Sequence, residues 1–202
     1  MSFKIHLFSF VLIISLSPVY SQTTININHD SFEKYLPETI KLQFAGGLGF
    51  LSAGMGYSVL NEKLDISVFY GYVPKCFSVK DLHSLNFQIT AKLFRVKLSK
   101  DIELMPLNIG GYFQHTFGNE YWVKLPDEYP RGYYWWSPGL NTGFCLGAEL
   151  RTKFLANKIN TSSTAFYVNI GSKSYYLASK FGNSSIPLTD IINIGFGIII
   201  YR

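Results

Sequence analysis

From residue 40 onward, apolar side chains recur at every second position in eight separate runs. Ile40, Leu42 and Phe44 alternate with Lys41, Gln43 and Ala45. Leu51, Ala53, Met55, Tyr57 and Val59 alternate with Ser52, Gly54, Gly56 and Ser58. The same pattern returns around residues 64–70, 85–93, 107–114, 141–151, 166–171 and 192–200. A period of two sends alternate side chains to opposite faces of a strand. The reading is therefore all-β: a single antiparallel up-and-down transmembrane β-barrel of eight strands. Gly46-Gly47-Leu48-Gly49 is the sole break between the first two runs, so one bent strand is the alternative to two there.

Alternation by itself also fits a soluble barrel with its apolar face inward. Three features favour the opposite sense. Connections near 61–63 and 99–101 are tight and 155–163 is moderate, whereas 73–82, 117–138 and 172–188 are long, as expected for short periplasmic turns and longer outer loops. The non-apolar face is rich in Gly, Ser, Asn and Gln. Aromatic residues crowd the strand ends: Tyr70, Tyr72, Phe117, Tyr121, Trp122, Tyr133, Tyr134, Trp135, Trp136, Tyr175 and Tyr176. Rings with one wet edge suit a lipid–water boundary.

The first residues read as an export signal. Lys4 supplies the positive start, residues 5–19 are largely apolar, and Val19-Tyr20-Ser21 precedes a cleavage point before Gln22. The expected organisation is a signal peptide (1–21), a polar periplasmic lead (22–38) and the outer-membrane barrel (39–202). Within the lead, Asp30-Ser31-Phe32-Glu33 has capping-box spacing for one short helical turn.

Composition narrows the class. Charged residues make up 15% of the 202 and aromatics 17%, which excludes a disordered chain. Two cysteines do not make a disulfide framework; Cys76 falls in the outer loop after the third strand and Cys145 in the sixth, strands that are not neighbours, so both are expected unlinked. The net charge of +5 is scattered, without a basic stripe, so nucleic acid is not an expected partner.

The last run, Asn193-Ile194-Gly195-Phe196-Gly197-Ile198-Ile199-Ile200, has the order polar-x-Gly-x-x-apolar-x-apolar. Carried by Asn193, Gly195, Ile198 and Ile200, it resembles the C-terminal assembly signal of outer-membrane proteins, and Tyr201-Arg202 extends beyond it. With the export signal and the strand pattern, the chain resembles small eight-stranded bacterial outer-membrane barrels of the OmpA-transmembrane, OmpX and PagL kind. The resemblance is one of pattern, not of residue identity. It implies a Gram-negative cell envelope, both termini in the periplasm, the outer-membrane assembly machinery as a partner during biogenesis, and outer-membrane lipid and lipopolysaccharide around a monomer.

An eight-stranded barrel is only wide enough for its own side chains. Strand direction and parity place Lys41, Asp65, Lys92, Glu149 and Arg151 near the periplasmic end of the lumen, where they are expected to form a structural ionic plug. Tyr112 and Tyr167 are expected to fill the same interior. The outer-loop aromatics Tyr121, Trp122, Tyr133, Tyr134, Trp135 and Trp136 are the candidates for holding lipid or a surface ligand. Lys75, Lys80, Lys124, Arg131, Lys173 and Lys180 are expected in the same loops as donors to phosphate groups.

Chemistry is sparse. His83, Ser84 and His115, with Asp81, lie at the outer rim of adjacent strands and are the weak catalytic candidates for an outer-leaflet lipid A deacylase or acyltransferase. His83 and Ser84 are consecutive and so point to opposite faces. No cofactor or metal is expected. The preferred reading is a non-enzymatic outer-membrane barrel with a closed polar lumen, acting structurally or through its loops. The second alternative is a secreted soluble barrel that binds an apolar ligand inside.

Overall fold

In the computed structural model, residues 36–124, 130, 136–154 and 161–202 are described. The export segment, Asp30-Ser31-Phe32-Glu33, Arg131, Tyr133, Tyr134 and Trp135 lie outside them. The chain divides into Met1–Leu36 and Pro37–Arg202, and the barrel is the second unit.

Its strands are β1 (Thr39–Ala45), β2 (Leu51–Val59), β3 (Leu64–Val73), β4 (Leu82–Lys92), β5 (Val96–Lys97), β6 (Ile102–Phe117), β7 (Leu140–Thr152), β8 (Ser163–Lys173) and β9 (Asn193–Tyr201). One helix, α1 (Ser174–Gly182), follows β8. Every pairing is antiparallel; apart from β4 with β6, each joins consecutive strands, and β1 pairs with β9 to close the ring. The two-residue β5 pairs with the start of β6 while β4 pairs with the remainder, so β4 and β5 together form one of eight staves. β6 is the longest strand. Its register against β7 shifts between Met105 and Asn108, around Pro106, which has no N–H to give a ladder.

The first two apolar runs are separate strands. Gly46 and Gly47 take φ of +81° and +85°, the left-handed region that glycine enters freely. The turn they make reverses the chain within five residues.

Ring closure brings Thr39 opposite Tyr201, and the Arg202 N–H donates to the Glu38 carbonyl at 2.9 Å. The strand ends therefore share one rim, here the terminal end. The connections 46–50, 74–81 and 174–192 and the described residues of 118–139 lie at the other, the loop end.

The barrel is polar inside and apolar outside. Along β1, Ile40 and Leu42 are 53% and 49% exposed, while Lys41 and Gln43 between them are 6% and 2%. The same contrast runs around the ring. Phe87, Ile109, Phe144, Val168 and Phe196 face outward, and Ser67, Asn86, Gln88, Asn108 and Glu149 are buried within. Such an interior differs from the apolar cavity of a soluble ligand-binding barrel. Among its polar side chains lies a cavity of about 20 Å³, on the order of one water molecule.

Glycines on the inner face make room for rings on the next strand. Tyr112 pairs with Gly143 and Tyr167 with Gly197. A Cβ at Gly143 would meet the Tyr112 ring at 2.3 Å, and one at Gly197 the Tyr167 ring at 2.4 Å. Each tyrosine thus lies across its neighbour's backbone and fills the lumen.

Candidate functional site

The terminal half of the lumen holds a continuous ionic network. Lys41 and Lys92 both reach Asp65 Oδ2, at 3.1 and 3.0 Å. Lys92 also contacts Glu149 at 3.2 Å, and Arg151 contacts Glu149 at 3.5 Å. The Ser58 hydroxyl donates to Asp65 at 2.7 Å. The five charged residues that strand parity places inside are therefore brought together, from β1, β3, β4 and β7. Inside, each of these charges finds a counter-charge.

Two further residues complete this network, one at the end of β9 and one in a turn. Tyr201 accepts from Lys92 Nζ at 2.8 Å and donates to Glu149 at 2.6 Å, and the Arg151 guanidinium lies 3.8 Å from its ring centre. The two residues beyond Ile200 thus include a lumen-filling side chain. Glu62, in the β2–β3 turn, reaches Arg151 at 2.7 Å and Arg95 at 2.6 Å. Three cations face two carboxylates inside the lumen, and Glu62 supplies the third negative charge from the rim. Partial burial pushes the Glu62 carboxyl up, but Arg151 and Arg95 outweigh it and hold it below the ordinary carboxylate value.

The loop half of the lumen is closed without charge. The Leu48 carbonyl accepts from Ser84 Oγ at 3.0 Å, Asn86 Nδ2 at 3.3 Å and Gln114 Nε2 at 3.2 Å. Gln114 also donates to the Gly47 carbonyl at 3.1 Å. The Leu48 side chain packs inside with Phe69 and Tyr112. The β1–β2 turn is folded into the barrel mouth as a cap.

Beside this cap, at the same end, lies an open cup of about 530 Å³. Tyr121, Trp136, Tyr175 and Tyr176 line it together with Thr116, Asn141 and Lys173. Lys173 is the last residue of β8 and not a loop residue. Among the described residues it has no carboxylate within ion-pair distance. Two other loop-end lysines are engaged: Lys80 pairs with Glu120 at 2.9 Å, and Lys180 donates to the Ser184 and Ile186 carbonyls. The 172–188 stretch, read from sequence as loop alone, contains α1, which presents Tyr175 and Tyr176 to the cup.

The catalytic candidates do not converge. Ser84 points into the lumen and is bonded to the Leu48 carbonyl. His83 points outward, where its Nδ1 is 2.6 Å from the Tyr70 hydroxyl. His115 also faces outward, with Nδ1 3.0 Å from the Gly139 carbonyl. Asp81 accepts from the Lys75 backbone N–H and the Tyr72 hydroxyl, both at 2.9 Å, which hold its carboxyl below the ordinary value. A nucleophile on one side of the wall and imidazoles on the other do not form a nucleophile–base pair. Cys145 is buried in the lumen with Gln88 Nε2 3.4 Å from its sulfur, and Cys76 is exposed between β3 and β4. Among the described residues, no cluster of His, Cys, Asp and Glu is arranged to hold a metal ion.

Comparison with known proteins adds little. No family model and no curated protein matches the chain. Among solved structures, the N-terminal β-barrel domain of Pseudomonas aeruginosa OprF aligns with a TM-score of 0.41 and 12% identity, over 82% of this chain and 98% of that one. A likeness of that strength carries no functional argument, so the reading below stands on this chain's own geometry.

Proposed function

We propose that the protein is an integral outer-membrane barrel without catalytic activity, closed to solute passage, which presents its loop-end cup to the exterior. The observation that carries this reading is the outward apolar belt. Ile40, Leu42, Met55, Val68, Phe87, Phe113, Phe144, Phe166, Ile194 and Phe196 are each about half exposed on one continuous ring. Soluble proteins rarely expose contiguous apolar patches beyond a few hundred Å². A closed ring leaves no strand edge to lipid, as a spanning sheet requires. The export signal and the C-terminal assembly motif support the same location, and the loop end then faces outward with the termini in the periplasm.

The direct test is fractionation with heat-modifiable gel migration. The protein should sediment with the outer membrane, need detergent for extraction, and change mobility on boiling. Cys76 and Cys145 add an orientation test. An impermeant maleimide on intact cells should label Cys76 and spare Cys145. Recovery of the protein as a freely soluble periplasmic species, or labelling of Cys76 only after lysis, would overturn the proposal.

A further inference from the structure

The loop-end cup has a composition that the closed lumen does not explain. Its volume, about 530 Å³, falls in the ~300–1,000 Å³ range of small-molecule sites. Tyr121, Trp136, Tyr175 and Tyr176 supply flat faces, and Asn141 adds an amide. Tyr175 and Tyr176 pack on each other, with ring centres 4.2 Å apart and planes 48° apart. Lys173 brings an ammonium with no counter-charge among the described residues. The first turn of α1 starts beside it with neither a side-chain cap nor an acidic residue, so its N–H groups add partial positive charge.

We propose that this cup binds an acidic sugar, its ring stacked on the tyrosine and tryptophan faces and its carboxylate or phosphate held by Lys173. The class follows by elimination. A lipid tail has no use for an ammonium and an amide. A bare inorganic anion has no use for four aromatic faces. A saccharide offers apolar C–H faces for the rings, hydroxyls for Asn141, and, when acidic, a charge for Lys173. The inference rests on the outward-facing barrel reading, since it needs the cup to meet surface glycans. The acidic sugar has two sources, a free saccharide or the headgroup of a phosphorylated glycolipid.

The three tryptophans of the chain are Trp122, Trp135 and Trp136. Intrinsic tryptophan emission therefore reports on the loop region alone. The detergent-extracted protein would be titrated with glucuronic acid, glucose 6-phosphate and glucose, and separately with micelles carrying rough lipopolysaccharide. A saturable emission change is expected with acidic probes, with glucose at least tenfold weaker. Lys173→Met should bring the acidic probes to the glucose level, while Tyr176→Ala should weaken all of them. Response to the free acidic sugars assigns a soluble ligand, and response to lipopolysaccharide alone assigns the glycolipid headgroup. A heat-modifiable barrel that responds to no acidic probe, or a Lys173→Met protein that binds like the parent, overturns the sugar site and leaves the barrel reading standing. A protein that lacks heat-modifiable migration and fractionates as soluble removes both.

Discussion

The two halves of the lumen are closed by different physics. At the terminal end, Lys41, Asp65, Lys92, Glu149 and Arg151 come from four strands and neutralise one another, completed by Glu62 and Tyr201. The cap at the loop end uses no charge among the described residues. One main-chain carbonyl, that of Leu48, gathers donors from Ser84, Asn86 and Gln114. Removing one member of the first half strands a charge in a nearly dry interior. Displacing the cap in the second half frees neutral donors only. The terminal half should therefore be energetically brittle, and the loop half more forgiving.

The largest effect is expected at Asp65, which two lysines share. Asp65→Ala leaves Lys41 without its counter-charge and Lys92 with Glu149 alone. Breaking a buried pair from one side costs about 3–5 kcal/mol. Urea midpoints in detergent, followed by far-UV circular dichroism of the barrel strands, should fall accordingly. Asp65→Ala combined with Lys41→Met should recover part of the loss, because the two sites are directly coupled. A single mutant within about 1 kcal/mol of the parent would mean that the terminal network is no more consequential than a surface pair.

A smaller effect is expected at the loop end. A Cβ added at Gly71 would lie 2.1 Å from the Leu48 carbonyl oxygen. Gly71→Ala must displace the cap, at a cost of about 1–3 kcal/mol for overpacking. Gly111 is the control, since a Cβ there meets nothing closer than 3.8 Å. If Gly71→Ala and Gly111→Ala melt alike, the turn is not seated as described, and the contrast between the two halves fails.

The two halves also differ in how far they can be read from sequence. Strand periodicity fixes which residues point inward, and parity with strand direction sorts them by depth. That is enough to place Lys41, Asp65, Lys92, Glu149 and Arg151 together before any coordinates. It does not reach Glu62, because a turn residue has no period. Tyr201 has the inward parity of Asn193, Gly195 and Gly197, but the terminal motif ends at Ile200, so its extension reads as a tail. The Leu48 cap is the least legible of all. Its working atom is a backbone oxygen, which every residue has, and only the left-handed Gly46 and Gly47 hint that the chain turns inward there. The cup is half legible: the aromatics stand out in composition, but Lys173 looks like one loop lysine among several until Lys80 and Lys180 are seen to be engaged elsewhere. The α1 helix buries no residue, so no apolar stripe announces it.

The smallest expected effect tests where the charged network ends. Glu62 lies at the rim and its side chain is 43% exposed. Glu62→Gln should cost only about 0–1 kcal/mol, the usual range for exposed pairs. Its pH dependence is more telling than its size. Partial burial disfavours the charged carboxyl, but Arg151 and Arg95 win and lower its pKa in the folded protein. A carboxyl lowered in this way stabilises the fold fully above its unfolded pKa and loses that contribution as pH falls through the lowered value. The midpoint gap between the parent protein and Glu62→Gln should thus be constant near neutrality, begin to shrink below the ordinary carboxylate range, and close at more acidic pH. A gap that persists unchanged into acid would show that Glu62 acts through turn geometry and not through its charge. The third cation, Arg151, would then be balanced only by Glu149, which it already shares with Lys92.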